Sequence, residues 1–406
     1  MRLTILQFVP ESLPTYRADV SVLFGKYLPR HAIVTDLVGK AGADPLPEQG
    51  YGRVWRARHY GGAVWRELDF LWLCVRTLLG ASRRRYDVIQ VRDMVPIGLL
   101  GLLVARLKGI PFTYWLSFLM SEGRIEVAQA ALRRRPTLRN RLKLLKGRVE
   151  RALLYRLVLP HASHVFVQSD AMAELVRSYG IAPERITAVP MGVDMETVPA
   201  ADAAAPRPAG WEQAPLIAYL GTLNQARQLE RVIDALLQVR REFPAACLLL
   251  VGAASPEAAA QHLLAHAAAL GLADAVRITG WLPSAQAWHC LQGADAAVSY
   301  IPRGALFDVS SPTKLLEYLA LGMPAVGNDS PDQQVVLAAS GAGWLTGSTA
   351  GELADAMCAI LRDPAAARRR AAAGPAYIEA HRSYRVLAQA LAARYQALRP
   401  APSPLP

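Results

Sequence analysis

The residues best placed to do chemistry lie in SSPTKLLEYLALG, positions 310–322, and in the run IPRGALFDV that leads into them. Ser310 or Ser311 carries the side-chain oxygen that caps a helix, and Pro312 suits a first helical turn. The N–H groups of Thr313, Lys314 and Leu315 then have no partner inside the helix. With the positive end of the helix dipole they make an anion site suited to phosphate oxygens. One turn on, Glu317 is placed to accept hydrogen bonds from two vicinal hydroxyls such as a ribose presents, at about 1.5–3 kcal/mol each. This spacing describes a ligand in which a diphosphate is joined to a ribose. The same residues also read as a plain helix cap with Lys314 and Glu317 as a solvated i, i+3 pair, so the surrounding elements must decide.

Those elements alternate. Short β-branched runs at 3–9, 86–91, 110–115 and 164–168 read as strands, with helical patterns at 94–108 and 170–179, the second capped by Ser169. PAADAAAPRPAGWEQAP follows Asp194 and has the composition of a linker. The pattern then restarts, with strands at 216–220, 247–251, 276–279, 296–300 and 324–327 between helices at 229–242, 256–270, 285–292 and 313–320. Helical patterns fill 351–398. Two α/β, doubly wound, Rossmann-like domains are expected. Their bounds are 1–196 and 215–380, joined by a linker at 197–214. A C-terminal helix at 381–398 is expected to pack back toward the first domain, and 399–406 to be a disordered tail. Such sheets bind ligands beyond the carboxyl ends of their strands, which is where the loop after Tyr300 falls.

A length of 406 residues supplies two cores, and no apolar run reaches the roughly 20 residues of a membrane span. The opening MRLTILQFVPES reads as a strand and not as a signal peptide, so cytoplasmic residence is expected. Cys74, Cys247, Cys290 and Cys358 are too scattered for a disulfide framework or a zinc site and read as buried free thiols. The net charge of +12 calls for an anionic partner. Much of it lies in 133–156, where Arg133, Arg134, Arg135, Arg139, Arg141, Lys143, Lys146, Arg148, Arg151 and Arg156 accompany a single acid, Glu150. Leu138, Leu142, Leu145, Val149 and Leu153 recur at helical spacing beside that charge. Either an anionic membrane surface or an ordinary domain helix explains such a pattern. Nucleic acid is not expected, since the stretch has no interleaved aromatics.

Beyond this spacing, SSPTKLLEYLALGMPAVGND resembles the donor-site helix of the retaining glycosyltransferases called family 4. Further resemblances occur in order: YDVIQVRD at 86–93, HVFVQSDAMAELVRSYGI at 164–181, ITAVPMGVD at 186–194, LIAYLGTLNQARQLERVIDAL at 216–236, LLLVGAAS at 248–255 and VRITGWLP at 276–283. The resemblance implies a GT-B fold of two facing Rossmann-like domains with an interdomain cleft, an acceptor-binding first domain and a second that binds a UDP- or GDP-sugar. Glu317 corresponds to the ribose-binding carboxylate, and Arg227 stands where the family commonly has a phosphate-binding Lys. Thr222 replaces a common Arg. Gly221 belongs to the same strand-end segment. Gly280 and Trp281 follow the strand whose end lies by the base, although Trp281 reads equally well as core. Gly252 permits a close backbone approach or, more ordinarily, a tight turn.

Two positions depart from the family pattern. Where many members have a glutamate before Glu317 this chain has Val309, leaving Asp308, Ser310 or Lys314 as replacements. No His occupies 115–124, so Asp93, Ser117 and Glu122 are the catalytic candidates of the first domain, with Glu11, Ser12 and Arg17 as weaker cleft candidates. The resemblance implies same-face substitution in which the departing diphosphate helps deprotonate a glycan or polyprenyl-linked acceptor. The expected setting is bacterial surface polysaccharide or exopolysaccharide synthesis, peripheral to the inner face of the plasma membrane. There is no Asp-x-Asp signature, so no metal site and no cofactor beyond the nucleotide-sugar donor are expected. A nucleotide-sugar epimerase of the same fold and a non-catalytic sugar-nucleotide-binding subunit are the alternatives.

Overall fold

The computed structural model describes residues 2–42, 50–58, 62–200, 205 and 207–399. It divides into two compact units, Met1–Met191 with Tyr384–Pro406, and Gly192–Ser383. In the first, β1 (Leu3–Leu13), β2 (Ile33–Ala41), β3 (Val54–Arg56), β4 (Val88–Arg92), β5 (Phe112–Leu116), β6 (His164–Val167) and β7 (Ile186–Ala188) form a parallel sheet. Its order is β3-β2-β1-β4-β5-β6-β7. The central β4, β5 and β6 are buried throughout, as apolar strands in a sheet covered on both faces must be. The accompanying helices are α1 (Ala63–Gly80), α2 (Val95–Lys108), α3 (Met120–Arg134), α4 (Leu138–Leu153), the short α5 (Leu159–His161) and α6 (Asp170–Ser178).

The second unit holds β8 (Leu216–Leu220), β9 (Cys247–Val251), β10 (Val276–Ile278), β11 (Ala296–Ser299), β12 (Ala325–Asn328) and β13 (Trp344–Thr346). They are parallel in the order β10-β9-β8-β11-β12-β13. Its helices are α7 (Glu230–Val239), α8 (Ala258–Ala269), α9 (Ser284–Gln292), α10 (Thr313–Ala320), α11 (Pro331–Ser340), α12 (Ala350–Arg362), α13 (Pro364–Ala371) and α14 (Gly374–His381). Ile233 and Leu236 of α7 pack with Leu353 and Met357 of α12 in a core under β8 and β9. The final helix, α15 (Tyr384–Ala397), belongs to the first unit. There Tyr384, Leu391 and Tyr395 join Phe24, Trp115 and Phe166, and the Tyr395 hydroxyl donates to Gln90 Oε1.

The chain thus has two doubly wound α/β units. The strands expected at 216–220 and 247–251 are found with those bounds, whereas β2, β3, β7, β13 and α1 were not anticipated. Within 197–214, expected as a linker, the described residues pack onto the second unit. Trp211 is buried, and Arg207 donates to Asp295 at 2.8 Å. Cys74, Cys247 and Cys358 are buried free thiols and Cys290 is half-buried. Among the described residues no helix is long and apolar enough to cross a membrane. Positions 400–406 of the expected tail lie outside the described residues.

Candidate functional site

In the second sheet the chain reverses direction of winding between β8 and β11, so the loops leaving their carboxyl ends open a crevice. The loop after β8 supplies Gly221, the exposed Thr222 and Arg227; the loop after β11 leads into α10. Neither expected serine caps that helix. Ser310 Oγ donates to the Phe307 carbonyl at 2.6 Å, and Ser311 Oγ to Asp332 Oδ2 at 2.7 Å. Pro312, expected in the first turn, occupies the capping position itself, and no side chain caps the helix. The correction strengthens the anion site, because the first-turn amides of Thr313, Lys314 and Leu315 keep their hydrogen-bonding capacity.

Unspent charge surrounds those amides. Lys314 is buried with its Nζ 5.3 Å from the Tyr219 ring centre, and among the described residues no carboxylate lies within ion-pair distance. Burial, helped by nearby Arg227 and opposed by Glu317, pushes its pKa down to about 7. Half-buried Glu317 is pushed up to about 7 by burial, against the pull of Lys314 and the Trp288 indole. Arg227 sits over the Phe307 ring at 5.5 Å and makes no ion pair among the described residues. Tyr219, its hydroxyl buried without a hydrogen-bond partner, is pushed up to about 12 by burial and remains a donor. Two cations gathered without a counter-ion are costly unless something anionic joins them. Such mutually opposed shifts in one crevice make it a candidate binding site.

Three strand-end glycines build the crevice wall. Gly221, Gly252 and Gly280 all have positive φ, and a Cβ on Gly252 would stand 1.9 Å from the Gly221 carbonyl oxygen. Close approach of two backbones, and not merely a tight turn, therefore requires Gly252. Leu223 N–H donates to the Ala253 carbonyl at 3.0 Å, stitching the loops after β8 and β9 together. Trp281 is 61% exposed, which removes its reading as core. Val309 is buried, while Asp308 is held by Arg303 at 2.7 Å and Arg303 also grips Asp329. With Asp308 and Ser310 engaged, Lys314 is the proposed replacement with free hydrogen-bonding capacity. A separate hollow of about 480 Å³ between α7 and α8, lined by Asn224, Glu230, Ser255 and His262, includes neither Lys314 nor Glu317.

The first unit has its own reversal point, between β1 and β4. It is filled by Arg92, which is fully buried and ion-paired to Glu11 at 3.1 Å, to Asp19 and to Asp93 at 3.6 Å. Arg92 and Asp19 are not among the candidates expected from the sequence; an arginine ending an apolar strand is the available signal. Asp93 takes a left-handed φ of 53° and lines a groove of about 420 Å³. Burial pushes its carboxyl above the usual range, against Arg92 and the hydrogen bonds from Ser117. Ser117 is buried, and both its N–H, at 2.8 Å, and its hydroxyl donate to Asp93. Glu122 instead accepts from Ser121 Oγ at 2.7 Å. Arg17 is exposed 3.9 Å from Glu11. Ser12 lies within β1.

Within 133–156, Leu138, Leu142, Leu145 and Val149 are exposed along one side of α4. Gly147, the buried residue of that helix, lies on the opposite side against Ile125. Those four residues are therefore not spent on packing, whereas Leu153, the last of the stripe, is half-buried.

Two family models match the chain: "Glycosyl transferase 4-like domain" over residues 17–192 and "Glycosyl transferases group 1" over 204–376. Solved structures share the fold. HepE of Anabaena, crystallised with UDP and glucose, is 17% identical with a TM-score of 0.71, covering 98% of this chain and 100% of that one. Sucrose-phosphate synthase from Thermosynechococcus elongatus is 19% identical with a TM-score of 0.72, covering 98% and 99%. WaaG, a glycosyltransferase involved in lipopolysaccharide biosynthesis, is 15% identical with a TM-score of 0.66, covering 96% and 99%. No curated protein matches the chain in sequence.

Proposed function

The chain belongs to the group 1 glycosyltransferases of GT-B fold, and from that premise we propose that it moves a hexosyl group from a UDP-sugar, with retention, to a glycan or lipid-linked acceptor. The carrying observation is the uncapped start of α10, where Lys314 feels both Arg227 and Glu317 and none of the three has an ion-pair partner among the described residues. UDP in the HepE complexes supports the choice of base.

In this reading the first-turn amides, Lys314 and Arg227 hold the diphosphate, and Glu317 accepts from the ribose hydroxyls. As the bond from the sugar carbon to the phosphate oxygen breaks, negative charge grows on that oxygen. Groups already fixed around it stabilise the charge without reorganising. The acceptor hydroxyl adds to the vacated face and its proton passes to the departing phosphate. Trp281 and Gly280 are proposed beside the base, and Gly221, Gly252 and Thr222 as backbone or loop contacts. Asp93, positioned by Ser117, is the proposed carboxylate for the acceptor; Glu122 faces Ser121 and is the weaker candidate. The exposed stripe of α4 beside its cations supports work at an anionic membrane surface, in surface polysaccharide assembly.

A thermal-shift panel of UDP, GDP, ADP and their common sugars selects the donor, and product analysis with and without membrane-extracted acceptor tests the reaction. Release of free nucleoside diphosphate only with acceptor supports transfer. An epimerised donor formed without acceptor, or binding that never leads to turnover, would overturn it. Charge reversal at Arg134, Arg139 and Arg141 is expected to release the protein from membranes with nucleotide binding intact; unchanged sedimentation with membranes refutes that part.

A further inference from the structure

Helix α1 is apolar on two faces. Phe70, Cys74 and Leu78 turn into the core, while Val64, Trp65, Leu68, Leu71, Trp72 and Leu79 stay in solvent, the tryptophans at 70% and 63% exposure. A lone exposed leucine is ordinary, but Trp65, Leu68, Trp72 and Leu79 share one helical face, with Arg76 between the last two. Helices α1 and α4, each with its exposed apolar residues, both contribute to the wall of one groove. Leu68 and Leu71 line it from α1, Met120 and Arg124 from α3, and Lys146 and Glu150 from α4.

Charge decides what covers this surface. The acids of α1 are engaged: Glu67 pairs with Lys40 at 2.5 Å, and Asp69 accepts from the Arg58 N–H at 2.5 Å. Arg66 and Arg76 remain on its surface. Across the groove Glu150, the acid of α4, is ion-paired to Arg124. The surface therefore joins exposed tryptophans, an exposed leucine stripe and a large cationic excess. An anionic bilayer offers hydrocarbon to the first two and phosphate charge to the third.

We propose that α1 is a second membrane-inserting helix, with Trp65 and Trp72 seated at the headgroup level of an anionic bilayer on one side of the groove while α4 seats on the other. This rests on the membrane reading of 133–156 and adds a helix to it.

The test is flotation of the full chain with phosphatidylcholine vesicles, with and without about one-third phosphatidylglycerol. Wild type is expected to float with the anionic vesicles only. Trp65→Ser/Trp72→Ser is expected to bind them about tenfold or more weakly. Brominated lipids should quench wild-type tryptophan fluorescence and quench the double variant less, with the nucleotide thermal shift unchanged in both. Wild-type flotation and quenching in the double variant, alongside release of Arg134→Glu/Arg139→Glu/Arg141→Glu, would overturn the role of α1 and leave that of α4. Both fall if neither variant changes binding, or if wild type ignores vesicles and binds RNA at physiological salt.

Discussion

Binding of a nucleotide sugar should move protons, and in opposite directions on the two sides of neutrality. Lys314 in the empty site has a pKa of about 7 because burial and Arg227 disfavour its charge. At about pH 8 it is then about one-tenth protonated, and a diphosphate that restores it by about two pH units makes binding take up about 0.8 proton. Glu317, also at about 7, is mostly protonated at about pH 6. Hydrogen bonds from ribose hydroxyls favour its carboxylate, so binding there releases a comparable fraction. Affinity should peak near pH 7 and fall by up to about tenfold per pH unit on either side. Calorimetry in buffers of different ionisation enthalpy reads this directly. An intact nucleotide sugar is the right probe, since its diphosphate lacks the terminal group that titrates in a free nucleoside diphosphate. Lys314→Met should abolish the uptake at the higher pH and leave the release at the lower one. Buffer-independent heats at both values would refute the placement of the diphosphate on Lys314 and of the ribose on Glu317.

The same lysine works against folding. Its charged form is disfavoured in the native state, so the cost is fully present below about pH 7 and fades as pH rises toward 10.5. Lys314→Met should therefore melt higher than wild type in mild acid, with the gain shrinking in alkali. Arg227→Ala should weaken donor binding by about 1.5–3 kcal/mol, or roughly 10- to 100-fold, and Arg227→Lys by less, as titration would show. Gly252→Ala should destabilise the protein by about 2–4 kcal/mol in denaturant unfolding, because the new methyl meets backbone and no flexible side chain can yield. Arg92→Met strands the carboxylates of Glu11, Asp19 and Asp93 and should cost about 3–5 kcal/mol by the same measurement.

Much of the second unit was legible because its strands are short apolar runs bounded by glycine or by polar helix starts, as at 216–220 and 247–251. The donor crevice was legible for a related reason: a doubly wound sheet fixes where strand-end loops converge, so SSPTKLLE following β11 had one place to go. Local chemistry was less legible. Whether Ser310 and Ser311 cap α10 depends on competing acceptors: the Phe307 carbonyl three residues before Ser310, and Asp332, which sequence spacing does not bring near Ser311. An arginine ending the apolar strand β4 is a signal, but the role of Arg92 was not legible because its partners Glu11 and Asp19 lie far off in sequence. Helix α1 escaped notice because apolar residues on two faces blur the helical period, and the exposed half has the surface role proposed above.

The central claim is that the donor diphosphate sits on the uncapped start of α10, and a crystal structure of the complex with the nucleotide selected by the binding panel tests it most directly. It should show diphosphate oxygens about 3 Å from the amides of Thr313, Lys314 and Leu315, with the ribose hydroxyls on Glu317. A nucleotide lodged instead in the hollow between α7 and α8, away from Lys314 and Glu317, would contradict the account.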